Sequence, residues 1–162
     1  MSADDSTAMR LFPRDDSLAR GWEDLGAGVP SLIALAKQAS IAMVEGRLEP
    51  WQSLSMEAQV LLYAARDRGA YEVKAVNSAF APNQRWLAVS AEQTEDHWLT
   101  FRPTESPEAV VRFFAGFSQL CSAGLVMHQI YRDFSLTPHG FQAAREVDAA
   151  PLQSMLDAAL HE

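Results

Sequence analysis

The chain has 162 residues, 48% of them apolar and 21% charged, with a formal net charge of −8. That is the length and composition of one globular domain, and it excludes a disordered or fibrous chain. The acid excess argues against a nucleic-acid binder that works through a broad basic face, because such affinity comes largely from counterion release by Lys and Arg.

One cysteine, Cys121, leaves no intramolecular disulfide to form and agrees with a reducing compartment. The first residues, MSADDSTAMRLF, carry acids where a secretory leader has bases. The most apolar stretch, Val29 to Val44, is broken by Pro30, Lys37, Gln38 and Ser40 and is too short to span a bilayer. These features predict a cytoplasmic protein. By region, Val60 to Arg145 holds eight bases against eight acids, so the middle of the chain is neutral.

Residues 1–28 are polar, rich in Asp and Glu and without periodicity, and read as an acidic N-terminal arm. Residues 29–162 read as a single α+β domain. Ser31 to Glu45 has the pattern of a helix, started by Pro30-Ser31 and closed by Gly46. Its apolar residues go most of the way round, as in a helix that is buried or pairs with another chain, and a homodimer contact through Ile33 or Leu35 is one expectation. Leu54 to Arg68 is a second helix, with Ser53 or Ser55 as N-cap, Gly69 at its end and Arg66 and Arg68 in its last turn.

From Tyr71 to Phe101 the apolar period changes to two. Tyr71–Val76 reads as a strand, and Arg85–Val89 with His97–Phe101 as a hairpin around Glu92–Asp96. Asn77 to Gln84 is a loop. Ser106-Pro107-Glu108 is a strong helix start, with Ser capping, Pro at the first helical position and Glu at the positive end of the dipole. The helix runs through Val110, Val111, Phe113, Phe114, Phe117, Leu120 and Cys121 and stops at Gly124. Its other side, with Ala115, Gly116, Ser118, Ser122 and Ala123, lets another backbone come close. Leu125–Ile130 and Phe134–Leu136 are strands about a turn near Arg132-Asp133. Thr137-Pro138 opens a further helix, and Pro151 starts a short last one with Leu152, Met155, Leu156 and Leu160.

Phe117 to Val147 resembles the end of a winged-helix domain: a helix closes in Gly124-Leu125-Val126, a two-stranded wing follows, and the chain returns as Leu136-Thr137-Pro138-His139-Gly140 before another helix. The resemblance covers about a fifth of the chain, implies a winged-helix-like C-terminal half, and carries DNA binding as an implied function. The helix in the reading position departs from the family, since it offers the major groove only Arg112 and Gln119.

No GxGxxG, Walker or GxSxG motif is present, the four histidines show no metal-ligand spacing, and no cofactor is implied. The grouping of most interest is Arg85, Trp86, Trp98, Arg102, Arg112, Tyr131 and Arg132. If hairpin, long helix and wing pack together, these residues line a groove for a ligand or partner, because Arg beside aromatics is the composition of interface hot spots. Otherwise the aromatics fill the core and the arginines pair with Glu92, Glu105, Glu108 and Asp133. The sequence thus predicts helices packed on a small antiparallel sheet. Its first functional reading is a non-catalytic regulatory or interaction module, dimeric, binding a protein or small molecule. The alternative is a winged-helix DNA-binding transcriptional regulator.

Overall fold

The computed structural model describes residues 30–77, 85–102 and 106–162. The acidic arm of residues 1–28 and the loop around residues 78–84 lie outside them. Among the described residues five α-helices pack on a six-stranded antiparallel sheet, and the chain is α+β. In chain order the elements are α1 (Pro30–Glu45), α2 (Met56–Ala64), β1 (Ala70–Asn77), β2 (Arg85–Thr94), β3 (His97–Thr100), α3 (Pro107–Ser122), β4 (Val126–Ile130), β5 (Asp133–Leu136), α4 (Pro138–Glu146), α5 (Gln153–Asp157) and β6 (Leu160–His161). The strand order is β4-β5-β1-β2-β3-β6.

The register decides which side chains face the helices. Tyr71 opposes Ala91 and Phe134, Val73 opposes Val89, and Ala91 opposes Leu99. All of these are buried in the core with Phe113, Phe117 and Leu120 of α3. Phe117 meets Tyr71 and Phe134 edge-on at 5.3 and 5.1 Å, the geometry that aromatic quadrupoles favour. The Tyr71 hydroxyl donates to the Leu61 carbonyl at 2.8 Å, so its burial leaves no orphan donor. Alternate residues therefore point to the sheet's opposite face: Glu72, Lys74, Ala88, Ser90, Trp98 and Thr100.

Three helix ends depart from the sequence reading. α2 stops at Ala64, and the turn that follows brings Arg66 back to donate to the Tyr63 carbonyl at 2.8 Å, so that cation still serves the helix end. α3 begins at Pro107 as anticipated, yet the Ser106 side chain makes no capping hydrogen bond. The last helix is short, and Leu160–His161 form an edge strand on β3 where a continuing helix was expected. The turn joining β2 and β3 is shorter than anticipated, because β2 runs on to Thr94.

α1 is sorted more sharply than its composition suggests. One stripe, Leu32, Leu35, Ala36, Ala39 and Ala42, is buried against α3 and the sheet, and Leu35 is only 3% exposed. Leu35 is thus a core residue and not a subunit contact. Gln38 ties the helix to α3 through Ser118 and Ser122. The small residues of α3 act as anticipated: a Cβ on Gly116 would stand 2.8 Å from the Ala58 backbone nitrogen, so only glycine lets the start of α2 approach.

Candidate functional site

The described members of the seven residues singled out above are spread over β2, β3, α3 and the β4–β5 turn. Arg85 begins β2 opposite Asn77, and its side chain lies outside the described residues. Trp86, Trp98 and Arg102 belong to the sheet side that carries β2 and β3. Tyr131 and Arg132 form the turn between β4 and β5, two strand steps from Trp86 on β2 and three from Trp98 on β3 in the order β5-β1-β2-β3, or about 10 and 14 Å. Arg112 is on α3, across the sheet.

Two of the four arginines meet nearby acids. Arg112 donates to Glu108 one turn back at 2.7 Å, and Arg132 meets Glu72 at 3.1 Å. Arg68 lies 3.6 Å from Glu92. Of the pairings anticipated for Arg85, Arg102, Arg112 and Arg132, that of Arg112 with Glu108 is present; Arg132 meets Glu72 and not Asp133, Glu92 is met by Arg68, and Glu105 lies outside the described residues. Tyr131 holds a positive φ of 49°, and the His128 Nε2–H donates to its carbonyl at 2.7 Å, which fixes the tip of this hairpin.

The opposite sheet face holds a polar chain instead of a groove. Thr100 Oγ1 donates to Glu162 Oε2 at 2.7 Å, which leaves it to accept from Ser90 Oγ at 2.8 Å, because a hydroxyl has one proton. Lys74 closes the chain on the same carboxylate oxygen. The hydrogen bond from Lys74, then that from Thr100, holds the Glu162 carboxyl below its ordinary range. Reciprocal backbone bonds of 2.9 Å between Trp98 and Glu162 extend the pairing of β6 with β3.

No reactive group stands out among the described residues. Cys121 is completely buried, and burial pushes its thiol well above the ordinary range, so the thiolate needed for nucleophilic attack is disfavoured. Among the described residues no three of His, Cys, Asp and Glu come together as metal ligands. No described helix is long and apolar enough to cross a membrane.

Two surface features among the described residues were not located by sequence reasoning. The first is the outward side of α1. Ile41 and Val44, i and i+3 neighbours, are 48% and 83% exposed, and Met43 beside them is 47% exposed. The apolar pattern of this helix signalled it, but not which residues would stay uncovered.

The second is a cleft of about 380 Å³ between the segment 48–52 and α4. Leu48, Pro50, Trp51, Leu125 and Ala143 give it an apolar lining, and Glu49, His139, Gln142 and Glu146 its polar edge. The Trp51 Nε1–H donates to Glu146 Oε2 at 3.1 Å and so bridges the two walls. Tight backbone packing lies beneath the cleft. Gly124, at φ +76°, closes α3, and a Cβ there would fall 1.9 Å from the Arg47 carbonyl oxygen. A Cβ on Gly140 would fall 2.0 Å from the Leu125 carbonyl oxygen. Thr137 accepts from the Gly140 amide at 3.1 Å and donates to the Gly124 carbonyl at 2.8 Å. The glycines are thus demanded by packing under the cleft. The cleft itself could not be read from sequence, since it needs residues 48–52 to cross over a turn more than seventy positions away.

A smaller cleft of about 250 Å³ lies between Ser31, Trp86, Leu87, Val110, Val111 and Phe114, and the Trp86 indole nitrogen is buried with no hydrogen-bond partner among the described residues. Neither a family model, nor a curated protein, nor a solved structure matches this chain.

Proposed function

We propose that this chain is a non-catalytic interaction module of the cytoplasm that associates with a second copy of itself through the outward side of α1. The observation that carries this reading is Val44 at 83% exposure beside Ile41 and Met43, on a helix whose opposite stripe is fully packed. Contiguous apolar side chains left in water mark interaction sites more often than chance placement. A stable dimer needs roughly 800 Å² from each partner, so the contact extends beyond these three residues onto the neighbouring surface. The thiol of Cys121 is sealed in the core, in keeping with a module that binds and does not catalyse.

The alternative, a winged-helix DNA-binding regulator, draws less support from the geometry. The hairpin β4–β5 follows α3 as a wing would, but Arg112 and Arg132 are each held by a carboxylate, and α3 presents Glu108, Val111 and Ala115 beside Arg112. A groove reader needs bases free to reach phosphates and base edges.

Sedimentation velocity of the full chain across a hundredfold concentration range tests the dimer. A monomer–dimer shift abolished by Val44→Asp supports it. A monomer at every concentration overturns it.

A further inference from the structure

We infer that the cleft between residues 48–52 and α4 binds a peptide segment of another protein that presents one bulky apolar side chain flanked by Arg or Lys. This is a site separate from the α1 surface proposed for self-association.

Size comes first. About 380 Å³ is at the small end of ligand pockets, which makes room for one large side chain and not for a dinucleotide or a haem. Leu125 and Ala143, 2% and 7% exposed, form an apolar floor, and Leu48 and Trp51 form one wall. Burying an apolar side chain there removes its surface from water, which favours binding.

Charge gives the flanking chemistry. The acidic side chains on the edge of the cleft are Glu49 and Glu146, with His139 beside them, and among the described residues no Lys or Arg lines it. Arg47, next in sequence, is turned to Glu45 at 2.6 Å. A cation entering beside the apolar group therefore meets two carboxylates. Glu146 uses Oε2 for Trp51, and a carboxylate accepts further bonds, so Oε1 can receive an incoming guanidinium or ammonium. The Trp51 ring is the aromatic face best suited to stack against that cation.

The cleft is also built before anything binds. The Glu49 amide donates to the Ala123 carbonyl at 3.1 Å, Arg47 is seated on Gly124, and Trp51 is bonded across to α4. A preformed cleft loses little ordering entropy on binding, which favours recognition of a short segment.

The test is a titration of ¹⁵N-labelled full-length protein with the peptide acetyl-Gly-Arg-Phe-Arg-Gly-amide, followed by heteronuclear NMR. The Trp51 indole and Ala143 amide signals should shift together and saturate. The Glu49→Gln/Glu146→Gln double variant, which keeps an acceptor for Trp51, should bind about fivefold more weakly, the effect of two exposed ion pairs. Val44→Asp should bind as the parent does, so that failure of the dimer and failure of this site read differently. Peptides with Phe replaced by Ala, or both Arg by Glu, should leave the cleft signals in place. The inference is overturned if the first peptide moves no cleft signal, or if either control peptide moves the signals as far.

Discussion

The Arg47 carbonyl oxygen lies 1.9 Å from where a Cβ on Gly124 would be, so a connector following the first helix is seated directly on the turn that ends the third. Gly124 is needed twice, for its φ of +76° and for the space above it. Gly46, at φ +67°, closes α1 in the same left-handed conformation, but a Cβ there would meet nothing within 4 Å. Alanine at Gly46 should cost only the left-handed strain, about 1–2 kcal/mol. Alanine at Gly124 should add displacement of the Arg47 backbone, bringing the loss to roughly 3 kcal/mol or more. Urea midpoints of the two variants measure the difference, and equal losses would mean that the crossing over Gly124 is loose.

Leu35 and Val44 are on one helix and should answer a charge in opposite ways. Leu35 is 3% exposed in the core, so Leu35→Asp buries a carboxylate without a partner and should unfold the chain or cost several kcal/mol. Val44→Asp should change monomer stability by no more than about 0.5 kcal/mol and act on association alone. Thermal melts at low concentration beside sedimentation data separate the two. A Val44→Asp variant that melts far below the parent would place Val44 in the fold's own packing.

How much of this could be read in the sequence depends on how local each cause is. Thr137-Pro138 announces α4 because the cap and the first-turn proline act within four residues, and Thr137 does accept from the Gly140 amide. The small side of α3 also announces a close approach, and Gly116 supplies it at Ala58. The α+β class follows from the change of apolar period after Gly69. The sites are not local. Arg132 finds Glu72 and Trp51 finds Glu146 only because the sheet order and the crossing at Gly124 bring distant segments together. Nothing in a period or a spacing says which of α1's apolar residues the core has no room for. β6 was missed because two residues carry too little pattern to separate a strand from a helix end.

Glu162 is the group through which acid should loosen the β3–β6 edge. Its carboxyl is held below the ordinary range by the hydrogen bonds from Lys74 and Thr100. A depressed carboxylate contributes stability that is complete above its unfolded-state pKa and is lost as pH falls through the folded-state value. At neutral pH, Glu162→Gln should therefore melt below the parent, and the gap should close on acidification through and below the carboxylate range. Hydrogen exchange at the Trp98 amide, which donates to the Glu162 carbonyl at 2.9 Å, should quicken in the variant at neutral pH. A gap that stays constant down to acid pH would show that the charge at Glu162 is not what secures this edge.

Duplex DNA is the discriminating ligand between an interaction module and a winged-helix regulator. Arg112 must leave Glu108, and Arg132 must leave Glu72, before either can neutralise a phosphate. Releasing a cation from a carboxylate forfeits part of the counterion gain that drives such binding. Fluorescence anisotropy of a mixed-sequence duplex should thus stay flat at low salt through the micromolar range where nonspecific binding by basic proteins is seen. Glu72→Gln/Glu108→Gln, which frees both arginines, should produce at most weak binding with a shallow salt slope, since two phosphates contribute a log–log slope of only about −2. Tight parent binding that falls steeply with salt would reverse the ranking, and Arg132→Ala would then show whether the β4–β5 hairpin touches the backbone, by lowering that slope by about one.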